Sequence, residues 1–353
     1  MATQLDFSLL KRICETPGAP GYEARMRELV LREIRPLVDD IQVDNMGNVI
    51  AQKKGREDKK VMAAAHMDEI SFIVRHIDDQ GFLHFHTLGG FDPKTLTAQR
   101  VIVHGRDGDL TGVMGTKAIH IMTAEERKQN PKLQDYFIDL GLPKEEVEKK
   151  VRVGDPITRE RELIEMGHCL NGKSIDNRVA VYILIETLKQ LREETPEHDF
   201  YACFTVQEEV GIRGASVAAQ MVDPDFGIGI DTTVANDVSA SSPKDYITKL
   251  GDGTAIKIMD SSTICDPRMI DFMRQTAEKN DIRHQMELLT AGGTDTAGLQ
   301  RMGQHGSIAG AISIPTRYLH QVIETAHKED ITASVDLLHH CLIRFNDFDW
   351  SAR

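Results

Sequence analysis

Three apolar runs in this chain stop at residues that carry chemistry. KKVMAAAH ends on His66, FYACFTVQ leads into Glu208-Glu209, and DFGIGID closes on Asp231. Short apolar runs of this kind read as buried strands. From Asp176 onward they alternate with helical patterns: RVAVYILIETLKQL, FYACFTVQ, GASVAAQMV, DFGIGIDTT, TAIKIMD, a helix near residues 269–279, HQMELLT, TAGLQRMG, HGSIAGAISI and a last helix near 331–345. That alternation predicts an α/β sheet with covering helices. Such a sheet presents ligands at the carboxyl ends of its strands, where these runs place their polar residues.

The start of the chain fits the same plan. Two helical patterns flank TPGAPG, then IQVDNMGNVIAQKKG reads as strand, turn and strand. Between residues 71 and 165 the character changes to short β patterns broken by Gly and Asp-Gly turns, with a charged helical segment near 142–150. The economical organisation is therefore a discontinuous α/β domain, residues 1–70 and 166–353, interrupted by a β-rich insertion at 71–165. Its size is ordinary for a domain.

Composition excludes several classes. With 41% hydrophobic and 27% charged residues the chain is neither disordered nor membrane-like. Its net charge of -13, with no long basic cluster, argues against nucleic acid as a partner. No stretch reaches membrane-spanning length and no secretory signal opens the chain, so the expected location is the cytoplasm. Five scattered cysteines, none in a C-x-x-C pair, exclude a disulfide framework or a thiolate zinc site and read as buried small apolar residues.

Context separates the candidate site residues from their decoys. The 14 histidines and 55 acidic residues produce about two His-x-acid triplets by chance, so His66-Met67-Asp68 carries weight only because it ends a buried strand. His76-Ile77-Asp78 and His327-Lys328-Glu329 sit at a turn and in a charged stretch, and read as solvated surface. Asp68 is placed to hydrogen-bond the His66 imidazole and fix its tautomer. Glu125-Glu126, Glu145-Glu146 and Glu193-Glu194 lie in charged surroundings. Glu208-Glu209 follows a strand, and two adjacent carboxylates held there raise each other's pKa unless a cation compensates. Asp176 is also a plausible helix cap, Asp231 a turn residue and His320 an interface or core histidine. As a set, two histidines and several carboxylates without cysteine suit a pair of zinc, cobalt or manganese ions. One carboxylate must bridge such a pair and another stay free as base. Spacing does not say which acid bridges. Gly292-Gly293-Thr294-Asp295 reads equally as a tight turn with a helix cap or as a functional segment.

Taken in order, AAHMDEI, NGKSIDNRVAVY, TVQEEVGIRGA, GIDTT, KLGDGTAIKIMD, AGGTDTAG and IPTRYLH resemble the tetrahedral (TET-type) aminopeptidases of metallopeptidase family 42, including glutamyl and leucyl aminopeptidases. The resemblance covers almost the whole chain. It implies a phosphorylase/hydrolase-like three-layer catalytic domain with an inserted β-rich, PDZ-like barrel domain that takes part in assembly. It implies two divalent ions, zinc foremost and cobalt or manganese also compatible. His66 and Asp231 would hold one, Glu209 and His320 the other, with Asp176 bridging, Glu208 as general base, Asp68 orienting His66, and Gly292 to Asp295 at the substrate. The expected substrates are short peptides with a free N-terminus, and the expected assembly is a dodecamer built from dimers. A related dinuclear deacylase and carboxypeptidase group shares the ordered donors, but its extra domain falls after the Glu-Glu pair, whereas here the insertion precedes Asp176.

Overall fold

The structure is a computed structural model that describes residues 5–239 and 241–351; residues 1–4, Ala240 and 352–353 of the expected catalytic domain lie outside them. The amphipathic helices α1 (Phe7–Glu15) and α2 (Ala24–Ile34) bury Leu9, Leu10, Ile13, Met26, Leu29 and Val30. The Asp6 carboxylate caps α1 by accepting the Ser8 amide at 2.9 Å. A hairpin follows, β1 (Asp40–Val43) and β2 (Val49–Lys53). Its turn is closed by Asp44 Oδ1, which accepts the amides of Met46, Gly47 and Asn48. Gly47 has φ +101°, a value that glycine adopts without a Cβ penalty. Next comes β3 (Glu57–His66), exposed along EDK and buried from Val61 to His66.

The expected β-rich insertion is a closed barrel. Its strands are β4 (Ser71–Ile77), β5 (Leu83–Leu88), β6 (Arg100–Gly105), β7 (Gly108–Gly115), β8 (Phe137–Asp139) and β9 (Pro156–Arg159), in the order β4-β5-β8-β7-β6-β9. Alternating residues such as Phe72 and Val74, or Val101 and Val103, point inward to a separate hydrophobic core. The helix α3 (Lys144–Lys150) packs Val147 into the same core. The chain re-enters the large sheet through β10 (Ile164–Met166) and β11 (Cys169–Gly172).

From there strands and helices alternate as predicted: α4 (Ile175–Gln190), β12 (His198–Thr205), α5 (Arg213–Val222), β13 (Phe226–Val234), β14 (Thr254–Met259), α6 (Pro267–Lys279), β15 (His284–Leu288), α7 (Thr296–Met302), β16 (Ile308–Arg317), β17 (Glu324–His327) and α8 (Lys328–Leu342). The last helix begins earlier than its apolar pattern suggests, because His327 Nδ1 accepts the Glu329 amide as a cap. Among the described residues the large sheet has eleven strands. Its centre, β12-β3-β13-β16, is parallel. Pleat alternation along β3 then divides the core in two. Val61, Ala63 and Ala65 face α1, α2, α4, α6 and α8, while Met62 and Ala64 face α5 and α7. The result is three layers, helices on both faces of one sheet.

Candidate metal centre and active site

Parallel register brings the polar strand ends to one edge. His66 pairs with Thr205, so β3 and β12 finish level, and Asp231 lies near the same end of β13. After β12 the chain turns sharply. Gln207 takes φ +56°, and the Glu208 carbonyl accepts the amides of Gly211 and Ile212. Glu208 and Glu209 thereby stand in a tight elbow instead of continuing the strand. Asp176 enters from the start of α4, where it and Asn177 have non-helical backbone angles and share a cis peptide bond. His320 comes from the loop after β16, with φ +57°.

Five of the predicted donors converge into two groups. His66, Asp176 and Asp231 form one; Asp176, Glu209 and His320 form the other; within each group the donor atoms lie within 4.8 Å of one another. Asp176 is common to both, with Oδ1 3.3 Å from His66 Nε2 and Oδ2 3.2 Å from His320 Nε2. Glu208 belongs to neither group, and its Oε2 lies 3.8 Å from His66 Nε2.

Burial dominates the electrostatics. It pushes the carboxyls of Glu208 and Asp231 well above their ordinary range and that of Glu209 up to about 8, with neighbouring carboxylates adding to the shift. Burial acts the same way on Asp176, but the adjacent imidazoles of His320 and His66 outweigh it and hold this carboxyl low. Burial opposes protonation of the imidazoles, yet Asp176 and neighbouring carboxylates raise His66 well above its usual range and His320 to about 10. Such a cluster has an excess of acceptors. Asp176 Oδ1 and Glu209 Oε1 are buried without a hydrogen-bond partner. Imidazole nitrogens and carboxylate oxygens, with these two oxygens left over, are the donors that zinc, cobalt or manganese ions accept, so the residues fit two divalent ions.

Asp68 is placed differently from the simple expectation. The His66 Nδ1 is 3.1 Å from the main-chain carbonyl of Asp68, while the Asp68 carboxylate oxygen is 3.5 Å away. The two carboxylate oxygens instead accept the amides of Glu208 and Glu209, each at 3.1 Å. Asp68 thus holds the imidazole through its backbone and the Glu-Glu elbow through its side chain. Glu23, which sequence reading missed, extends that hold by accepting the Gln207 amide at 3.2 Å. It stands at the start of α2, where it reads as an ordinary helix-terminus residue.

A cavity of about 510 Å³ opens on these residues. Gly292, Gly293 and Thr294 line it, but Asp295 does not. Asp295 lies behind that wall, 1% exposed, and accepts the Thr205 hydroxyl; it makes no cap bond to α7. Lys257, also on the wall, donates to Glu287 Oε1 at 2.8 Å and stands 3.3 Å from Asp260. A lone charge inside the apolar strand TAIKIM is the signal that could have found it. Arg159, Glu69, Lys173 and Glu324 form a further buried ion cluster behind Asp176, and nothing in their local sequence pointed to it.

The layered fold and this donor set suit a hydrolase of the metallopeptidase class. Comparison makes that particular. The model of the M42 glutamyl aminopeptidase family matches residues 47–337, and the chain belongs to this family; it is an aminopeptidase. It is 32% identical to the lysyl aminopeptidase of Pyrococcus furiosus over 98% of this chain and 99% of that one. An aminopeptidase from the archaeon Desulfurococcus kamchatkensis superposes with a TM-score of 0.91 at 36% identity, covering 96% of this chain and 94% of that one. The TET1 peptidase of Pyrococcus horikoshii, described as able to assemble into a tetrahedron or a large octahedral shell, gives 0.86 at 33% identity over 96% and 99% of the two chains. Among the described residues no helix is long and apolar enough to cross a membrane.

Proposed function

We propose that this chain removes N-terminal residues from short peptides and that it needs two divalent metal ions to do so. The observation that carries the proposal is the sharing of Asp176 between two donor triads that leave Glu208 out. His66 and Asp231 would hold one ion, Glu209 and His320 the other, and Asp176 both. Bound ions would supply Lewis acidity at the scissile carbonyl and offset the charge of the clustered carboxylates. Glu208 takes a proton from the attacking water and delivers it to the departing amine. Its place outside both triads, with Oε2 3.8 Å from His66 Nε2, leaves its carboxylate free to take and return that proton. Asp68 keeps His66 and the Glu208-Glu209 elbow in place. Gly292, Gly293 and Thr294 border the bound substrate, with Asp295 supporting that wall from behind.

Residues 71–165 are proposed as the inserted unit and the remainder as the catalytic domain, the insertion serving in dimerisation. The likeness to a shell-forming peptidase supports dimers that build a tetrahedral dodecamer. All five cysteines are free, four of them buried and Cys169 half-buried, which supports a reducing, cytoplasmic location. The test compares aminoacyl amides and short peptides, with free or acetylated N-termini, on metal-free protein before and after adding zinc, cobalt or manganese. Hydrolysis of free-amine substrates that returns with the metal supports the reading. Activity confined to acylated substrates, or unaffected by metal removal, rejects it.

A further inference from the structure

One triad is built on the sheet and the other is not. His66 and Asp231 lie within β3 and β13, where His66 pairs with Thr205 of β12 and Asp231 with Ser313 of β16. Glu209 and His320 lie in loops, and the His320 side chain is 43% exposed. Beyond the hold of Asp68 on the Glu209 amide, part of what steadies the loop-borne triad comes from the barrel.

Arg159 is the last residue of β9, a barrel strand, and is 3% exposed. Its Nη1 donates to the carbonyl of Gln321, the residue after His320. Its Nη2 donates to Ser174 Oγ, two residues before Asp176, at 3.2 Å. The same guanidinium lies 3.9 Å from Glu324 Oε1, while Glu324 Oε2 accepts the Asp176 amide at 2.9 Å. A single side chain therefore ties the His320 loop to the segment that carries Asp176. The loop after β5 touches the remaining donors. A Cβ at Gly89 would lie 3.2 Å from Glu209 Oε2, and one at Gly90 would lie 3.4 Å from His320 Nδ1. Arg159 reaches the His320 loop and, through Ser174 and Glu324, the segment that carries Asp176, while these glycines abut Glu209 and His320, so the barrel borders two members of the triad and supports the third indirectly.

We propose that the inserted barrel is a structural part of the Asp176–Glu209–His320 site, with Arg159 as a positioning residue and Gly89-Gly90 as its wall. The proposal rests on the reading of the triads as a two-ion site. Its physical basis is the cost of leaving a buried charge without its partner. Glu69 keeps Lys173 and Arg178 when Arg159 is lost, whereas Glu324 loses the cation that faces it and with it the fixed geometry of the Asp176 amide. Supporting groups of this kind alter metal affinity about tenfold to a hundredfold when removed.

The test is calorimetric titration of zinc into the metal-free, full-length protein, with the mass of the assembly measured in parallel, for wild type, Arg159→Met, Arg159→Lys and Gly90→Ala. Gly90→Ala guards against an Arg159 variant that fails to fold. Gly90 is not left-handed, and the single atom near its new methyl is that of His320. Wild type takes up two ions per chain. In Arg159→Met one ion keeps its affinity and the other weakens about tenfold or more, Arg159→Lys recovers part of the loss, and Gly90→Ala, whose methyl would only touch His320 Nδ1 at 3.4 Å, weakens the same ion by a smaller factor. Two ions bound at wild-type affinity in Gly90→Ala and in any folded Arg159→Met protein overturn the proposal. So does equal weakening of both ions, or weakening only where the assembly has changed size. A wild type that binds fewer than two ions fails the two-ion reading itself, and the proposal with it.

Discussion

Two carboxylates outside both triads, those of Asp68 and Glu23, hold the elbow in which Glu208 stands. Three successive amides, Gln207, Glu208 and Glu209, each find a buried carboxylate oxygen. Asn at position 68 keeps the shape but replaces one acceptor by a donor that faces an amide N–H. Asp68→Asn is therefore expected to destabilise the protein by about 1–3 kcal/mol and to lower kcat; denaturant unfolding and steady-state kinetics check both. Unchanged stability and turnover would show that the elbow needs no such support. A second expectation concerns pH. Without ions, contact with Asp176 and Glu209 outweighs burial and raises His320 to about 10, against about 6.5 for a free histidine. Its contribution to the stability of the metal-free protein is full below the lower value and fades as pH rises through the higher. Because a ligand imidazole must be neutral, ion uptake displaces protons. Metal affinity should rise with pH across the neutral range, with proton release measurable by calorimetry in buffers of different ionisation heat. Uptake independent of pH contradicts this. At this scale sequence reading found the residues that end apolar runs, because a strand edge is visible as pattern. It did not find Glu23, Arg159 or Glu324, whose partners lie far along the chain and leave no local trace.

The elements themselves were largely legible, since period-two and helical patterns are local. What the pattern could not give was how closely they pack. On β13, a Cβ at Gly229 would lie 1.9 Å from Thr296 Oγ1, at the first turn of α7. The glycine is there so that α7 can sit directly on the strand behind Asp231. Gly229→Ala is expected to cost about 1–3 kcal/mol through overpacking, read as a lowered midpoint of unfolding, with activity reduced because α7 follows the Gly292–Thr294 wall. A variant as stable as wild type would mean that α7 can move away freely. Helix α4 teaches a related lesson. Asp176 reads in sequence as a cap, but the first residues are not helical and the carboxylate turns to the histidines instead of to the helix amides.

At the scale of the molecule, the closed barrel at the point where the sequence changes character accounts for the shift from alternating helices and strands to short turns. The order of the strands in each sheet was not legible, because pairing between distant segments is set by packing across the whole fold. The central claim is that one shared aspartate holds two ions beside a free general base. Glu208→Gln, assayed for bound metal and for hydrolysis of a free-amine peptide, tests it most directly. The account predicts two ions per chain, as in wild type, with turnover lower by about a hundredfold to ten-thousandfold. Normal turnover in that variant, or loss of an ion together with activity, would contradict it.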